Sequence, residues 1–309
     1  MSKILVTGST GMIGKNLLPL LKKNNKNILA PTSKGLNLIN QNSVRNYLKK
    51  NNIKTVIHLA AKVGGIQANM NNNLEFFLTN TIINLNLINE CYKMKIPKFI
   101  NVASTCMYPS NINKKIKENM LFTGKLEASN EGYALSKINA LKLCEYINKQ
   151  NSNLSYKTLI PCNMYGYYDK FDIGNAHLVP AIINKIVEAK TQNKKNVTIW
   201  GSGNARREFL YAEDFAKIII KVLNNFHKLP EIINIGTGKD YKIQEYYDIV
   251  REIVGWKGDW KYDLSKPEGM KRKLADTHYQ KKLNLMPKTS LENGIRKTVK
   301  YYLNTLDEK

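Results

Sequence analysis

The 309-residue sequence lacks the features of a membrane protein or a disulfide-stapled secreted domain. No apolar run approaches the ~18–20 residues that span a bilayer, so no transmembrane segment is expected. The short apolar run at the N-terminus is interrupted by Gly8 and Gly11 and is not followed by a small-residue cleavage site, so it does not read as a secretory signal. The expected compartment is the cytoplasm. Only four cysteines occur (Cys91, Cys106, Cys144 and Cys162), in no zinc-binding or Cys-x-x-Cys spacing. No metal is expected, and the thiols should be reduced and mostly fill the core. Acidic residues are scarce, 24 against 48 Lys and Arg, giving a formal net charge of +24. That excess raises the question of a nucleic-acid or anionic-membrane partner. However, only six of the basic residues are arginines, the lysines are scattered among Asn and Ile, and no basic run is interleaved with stacking aromatics. The charge therefore reads as compositional bias, with no nucleic acid and no membrane as partner. A positive field would still favour a polyanionic ligand such as a nucleoside diphosphate.

Hydrophobic residues make up 43% and charged residues 23%, which excludes a largely disordered chain. The length suits one large domain or two coupled ones. Short apolar strands are expected at residues 3–7, 27–30, 55–59, 99–102 and 157–160, and helices at 16–23, 44–50, 72–93 and 133–148. Strands alternating with helices predict an α/β fold with a doubly wound parallel sheet of the Rossmann type. After Pro161 the rhythm breaks into short segments rich in Gly and aromatics, with helices expected near 211–224 and 244–254 and a strand at 232–235. The expected organisation is a dinucleotide-binding domain over residues 1–162, with a return segment near 207–236. A smaller C-terminal α/β substrate domain would occupy most of 163–309. No internal repeat is evident.

Gly8-Ser9-Thr10-Gly11-Met12-Ile13-Gly14 follows the first strand and opens the first helix. A glycine-lined turn lets backbone N–H groups and the positive helix end approach a pyrophosphate. The end of the second strand reads Ala30-Pro31-Thr32-Ser33-Lys34 and has no carboxylate to hold the ribose of NAD. Ser33 and Lys34 are available for a 2′-phosphate, so the expected cofactor is NADP(H).

Tyr133 and Lys137 stand four apart on an expected helix and share a face. A free phenol titrates near ~10, and a neighbouring ammonium is expected to lower that value. Ser104 follows the fourth strand, where a doubly wound sheet places its active residues, and could hydrogen-bond the same carbonyl oxygen as the tyrosine.

The glycine loop, Ser104 and Tyr133-x-x-x-Lys137 resemble the extended short-chain dehydrogenase/reductase superfamily. Further stretches resemble its GDP-L-fucose synthase family: His58 to Ile66, Ser104 to Pro109, Asn163 to Gly166, His177 to Ala181, Trp200 to Gly203, Arg207 to Tyr211, Ser265 to Pro267 and Arg272 to Leu274. The resemblance spans nearly the whole chain. It implies NADPH-dependent reduction of the 4-keto group of a GDP-4-keto-6-deoxy sugar, with Tyr133 protonating the C4 oxygen. It also implies 3,5-epimerisation, with Cys106 and His177 as the acid/base pair. Thr10, Met12, Ile13, Leu59, Ala60, Ala61, Asn163 and His177 would contact the cofactor. Lys185, Trp200, Arg207 and Lys273 would hold the GDP-sugar, and the helices at 72–93 and 133–148 would pair in a homodimer. Two alternatives stay open: a 4-reductase acting on an already epimerised substrate, and a non-catalytic NADP-binding regulator. A 4,6-dehydratase needs an Asp-Glu pair where this chain has Cys106-Met107. Hexose and heptose substrates are not distinguished.

Overall fold

The structure, a computed structural model, describes residues 3–24, 27–172, 174, 176–266 and 269–307. Pro267 of the motif at 265–267 lies outside them. The N-terminal half alternates β1 (Lys3–Thr7), α1 (Met12–Lys23), β2 (Asn27–Leu29), α2 (Gln41–Lys50), β3 (Ile53–His58), α3 (Ile66–Asn71), α4 (Asn73–Lys93), β4 (Lys98–Val102), α5 (Glu131–Gln150) and β5 (Ser155–Pro161). Then come β6 (Asn163–Tyr165), α6 (Leu178–Thr191), β7 (Asn196–Trp200), β8 (Arg206–Arg207), β9 (Phe209–Tyr211), α7 (Ala212–Asn224) and β10 (Ile232–Ile235). The chain closes with β11 (Tyr241–Lys242), α8 (Ile243–Val254), β12 (Asp259–Asp263), β13 (Arg272–Lys273), α9 (His278–Lys282) and α10 (Leu291–Asp307).

Six strands form one parallel sheet in the order β10-β5-β4-β3-β1-β2. The order reverses at β1, with β2 on one side and β3 on the other, so a crevice opens at the carboxyl ends of these strands. Alternation along each strand builds two cores. Val6, Ile57 and Ile100 face α1 and α7, packing with Leu17, Leu21, Phe215 and Ile219. Their neighbours Leu5, Val56 and Phe99 face the opposite layer, with Val44, Leu87, Ile88 and Ala140. A third core, including Val179, Ile183, Ile186, Tyr246, Val250 and Val299, is drawn from residues 165–302.

Several boundaries differ from expectation for local reasons. Helix α1 begins at Met12, not Asn16, because Gly11 already adopts the extended N-cap conformation; Gly14 therefore lies inside the helix. The helix expected from residue 72 is preceded by α3, with a break at Asn72, whose φ of −137° and ψ of 36° are not helical. Helices α6 and α10 were not expected. In α6, buried Val179, Ile182, Ile183, Ile186 and Val187 crowd a short segment and blur the polar face that marks an amphipathic helix.

Candidate active site

The glycine loop leaves the sheet at the switch point. Gly8 has φ +68°, and a Cβ there would sit 2.6 Å from Ala60 N. A Cβ on Gly14 would sit 2.4 Å from the Gly8 carbonyl oxygen. Gly11 N–H donates to that same oxygen at 3.1 Å, tightening the turn. The N-cap Gly11 makes no side-chain cap bond, so the first-turn N–H groups of α1 are left for a ligand. This cradle, closed to side chains and rich in backbone donors, fits a dinucleotide pyrophosphate.

From the loop a cleft of about 800 Å³ runs across the molecule. Its lining includes Gly8, Thr10, Gly11, Met12, Ile13, Gly14 and Ser33, then Leu59, Ala60 and Ala61 beyond β3. Ser104, Cys106, Tyr133, Lys137, Asn163 and His177 line its middle, and Lys185, Trp200, Arg207 and Lys273 its far end. Lys34 is exposed and is not part of the lining.

At the centre, Gly132 lets α5 approach α4: its N–H donates to Asn73 Oδ1 at 2.9 Å, and a Cβ there would meet the Asn73 carbonyl oxygen at 2.3 Å. The next residue is Tyr133. One helical turn on, buried Lys137 donates from Nζ to the Val102 carbonyl at 2.9 Å, with Nζ 5.8 Å from the Tyr133 ring centre. Burial lowers the Lys137 pKa from 10.5 to about 8. Burial, with Cys106 adding to it, raises the Tyr133 phenol above its usual value. This corrects the expectation that the ammonium lowers the phenol: desolvation governs the shift, and the lysine is itself desolvated and held by a carbonyl. Tyr133 is therefore protonated at neutral pH, the form a proton donor requires.

Ser104 caps a 3₁₀ turn over Thr105–Met107, and Cys106 N–H donates to its Oγ at 3.3 Å. Cys91, Cys144 and Cys162 are buried core thiols, whereas Cys106 is only partly buried. Two donors reach the Cys106 sulfur: Asn130 Nδ2 at 3.3 Å and Lys273 Nζ at 3.9 Å. His177 is the N-cap residue of α6 and stands exposed in the wall of the cleft. Desolvation by the surrounding cleft walls, and secondarily Lys170, lowers its pKa below the usual 6.5, so the neutral imidazole prevails at neutral pH.

At the far end, parallel β8 and β13 pair Arg206 with Arg272 and Arg207 with Lys273. Arg207 and Lys273 line the cleft. Arg206 and Arg272 instead bind buried Asp240, with Arg272 Nε donating to Oδ2 at 2.5 Å. Lys185 Nζ lies 5.3 Å from the Trp200 ring centre, and burial lowers its pKa. Lys266 Nζ stands 5.8 Å from the centre of a Trp200 ring. Among the cleft residues that were not foreseen, Asn130, Asn69 and Glu127 carry polar groups. The first two each have a buried Oδ1 with no partner among the described residues. None of the three stands in a spacing that signals chemistry, although Asn130 lies three residues before Tyr133 and Asn69 three residues after Ile66. Among the described residues no group of His, Cys, Asp and Glu could hold a metal ion, and no helix is long and apolar enough to cross a membrane.

A sequence model of the NAD dependent epimerase/dehydratase family matches residues 4–236. The chain is similar to the GDP-L-colitose synthase of Yersinia pseudotuberculosis, 48% identical over 302 residues that cover 98% of each chain. It is 44% identical to the GDP-L-fucose synthase of Azorhizobium caulinodans over 97% of this chain and 96% of the other. Among solved structures it resembles the NADP-bound GDP-mannoheptose C4 reductase of Campylobacter jejuni, with a TM-score of 0.88, 30% identity and 98% of each chain covered.

Proposed function

The chain belongs to the NAD dependent epimerase/dehydratase family, and from that premise we propose that it reduces the 4-keto group of a GDP-4-keto-6-deoxy sugar with NADPH and epimerises the same ketone at C3 and C5. The observation that carries this reading is the continuity of the cleft: the glycine cradle, the Ser104–Tyr133–Lys137 group and the Arg207–Lys273 pair line a single cavity. Relatives named GDP-L-colitose synthase and GDP-L-fucose synthase support a GDP-linked 6-deoxy sugar, and an NADP-bound neighbour supports the cofactor.

NADPH supplies the hydride that C4 receives. Protonated Tyr133 gives its proton to the C4 oxygen, and the Ser104 hydroxyl donates a hydrogen bond to the same oxygen as charge develops. Lys137, fixed by the Val102 carbonyl, holds the turn that carries Tyr133. A 4-ketone acidifies the C–H bonds at C3 and C5, because the carbanion delocalises onto oxygen. Cys106 and neutral His177 exchange those protons, with Asn130 and Lys273 orienting the sulfur. Arg207, Lys273 and Lys185 place positive charge where a diphosphate would lie.

Residues 1–162, with the return segment at 207–236, hold the cofactor, and most of 163–309 holds the GDP-sugar, in a cytoplasmic enzyme. The assembly is a homodimer. Exposed Leu74, Leu78, Ile82 and Leu85 recur at helical spacing on α4, beside exposed Leu135 and Tyr146 on α5. A monomeric mass in solution scattering would count against it.

The test is incubation with NADPH and GDP-4-keto-6-deoxy-mannose in D₂O. Loss of NADPH absorbance with deuterium at C3 and C5 of the product is expected. Reduction without deuterium there leaves a 4-reductase alone, and tight NADPH binding without turnover of this sugar or its heptose analogue overturns the reading.

A further inference from the structure

The motif that begins at His58 does more than continue a strand. His58 ends β3 and pairs in register with Thr7, the last residue of β1. Both are buried, as are Asn84 on α4 and Ser136 on α5. The four are joined in series. Ala60 N–H donates to Thr7 Oγ1 at 3.4 Å, Thr7 Oγ1 lies 2.8 Å from His58 Nδ1, His58 Nε2 lies 3.0 Å from Asn84 Oδ1, and Asn84 Nδ2 donates to the Ser136 carbonyl at 3.1 Å.

The acceptor at one end sets every hydrogen in the series. The Ser136 carbonyl can only accept, so the Asn84 amide must turn its nitrogen to α5 and its oxygen to His58. That oxygen needs a donor, which places a hydrogen on Nε2. A neutral imidazole then leaves Nδ1 as acceptor, and Thr7 donates to it. Burial above all, and then the charge of Lys137, lowers the His58 pKa to about 3, so the ring is neutral throughout the physiological range. All the donors point one way, an arrangement in which hydrogen bonds polarise one another.

The two ends of this chain lie in functional places. Ala60 lines the cleft and abuts Gly8 of the cradle. Ser136 lies between Tyr133 and Lys137, and its own hydroxyl donates to the Tyr133 carbonyl at 2.7 Å. We propose that His58 and Asn84 are positioning residues, a one-directional hydrogen-bond relay that locks the turn of α5 carrying Tyr133 and Lys137 to the glycine cradle. The proposal deepens the reductase reading and rests on it for its kinetic arm.

The direct test is nitrogen–proton NMR of the four histidine rings in the full-length protein, with His58→Asn identifying the His58 signals. A neutral ring with hydrogen on Nε2 and none on Nδ1, unchanged down to pH 5, is expected; hydrogen on Nδ1 overturns the proposal. The kinetic arm uses Asn84→Leu, which cuts the relay at α5. Loss of alignment should lower kcat for NADPH-dependent reduction by roughly 10- to 100-fold, while the dissociation constant for NADPH stays within about twofold, a split that general loosening of the fold would not give. A kcat within twofold of the parent overturns the proposal. Should Asn84→Leu fail to fold, Thr7→Val breaks the other end at nearly constant shape, and the same fall or retention of kcat decides. Tautomer and NADPH affinity are read without any sugar, so an inactive parent enzyme would refute the reductase reading and not the relay.

Discussion

The two ends of the cleft are made of different materials. The cofactor end is backbone: Gly8 and Gly14 leave no room for a Cβ, and the first turn of α1 presents bare N–H groups. The substrate end is side chain, with Arg207 and Lys273 projecting from strands only two residues long. Strands that short cannot hold themselves, and two buried carboxylates do it for them. Asp240 binds Arg206 and Arg272, the outward partners in the β8–β13 register. Glu208 accepts N–H groups of Thr237, Gly238 and Ala275 at 2.7–2.9 Å, binding β8 to the segments that follow β10 and β13. Substitutions in the glycine cradle should therefore act sterically and steeply, and those at the substrate end more gently.

Lys137, where the two ends meet, gives the largest expected effect. Lys137→Met should lower kcat by at least ~100-fold yet raise the thermal stability of the cofactor-free protein. The fall from 10.5 to about 8 corresponds to roughly 3 kcal/mol against folding at neutral pH, offset in part by the lost bond to Val102. Between about pH 8 and 10.5 the unfolded chain binds a proton at this site that the folded chain has released, so native stability rises with pH there. The stability gap between Lys137→Met and the parent should accordingly narrow from pH 7 to pH 10 in paired melts. A gap independent of pH would refute the account.

Next comes Gly14→Ala, the sharpest test of the backbone end. The added Cβ would meet the Gly8 oxygen at 2.4 Å and Ser9 backbone at 2.6 Å, with no flexible group to yield. Overpacking of this kind costs ~1–3 kcal/mol, so NADPH affinity by fluorescence titration should fall roughly 10- to 100-fold. Asp240→Asn probes the other end. Burial pushes the Asp240 carboxyl up, but the hydrogen bonds of Arg272 and Arg206 outweigh it and hold the group below the usual carboxylate range. Removing the charge should raise KM for the GDP-sugar about 3- to 10-fold, with NADPH affinity unchanged. A matching loss of NADPH affinity would erase the distinction between the ends.

The same contrast explains what was legible in the sequence. Ile4 to Thr7, the three glycines and Tyr133-x-x-x-Lys137 declare themselves because local periodicity and spacing place them: they stand on, or in the tight turn between, elements whose register follows from burial. The two-residue strands at Arg206–Arg207 and Arg272–Lys273 carry no period. Their pairing comes from contacts between residues over thirty positions apart, such as Arg206 and Arg272 to Asp240. Family resemblance marked Arg207 and Lys273 as site residues without revealing that backbone, or that Lys273 Nζ stands 3.9 Å from Cys106. Asn130 escaped because an asparagine in a loop has no signature until its partner is known. The direction of the Tyr133 shift also needed the structure, since spacing reports a neighbouring charge but not the desolvation that governs the shift.

The smallest effect is expected at Lys34, the cation that the sequence reading places near the 2′-phosphate. Ser33 lines the cleft, and Lys34 lies exposed beside it, outside the lining. An exposed ion pair contributes only about 0.2–1 kcal/mol, since water screens it and the flexible side chain loses entropy on pairing. Lys34→Ala should therefore raise the dissociation constant for NADPH by no more than about fivefold and leave that for NADH unchanged. Discrimination between the two cofactors would then rest mainly on the turn after β2, whose shape is set by Ser9 Oγ donating to the carbonyls of Ala30 and Pro31 at 3.3 and 3.1 Å. A loss of NADPH affinity beyond fiftyfold would mean that Lys34 swings into the cleft when the phosphate arrives, and that side chains dominate the cofactor end as well.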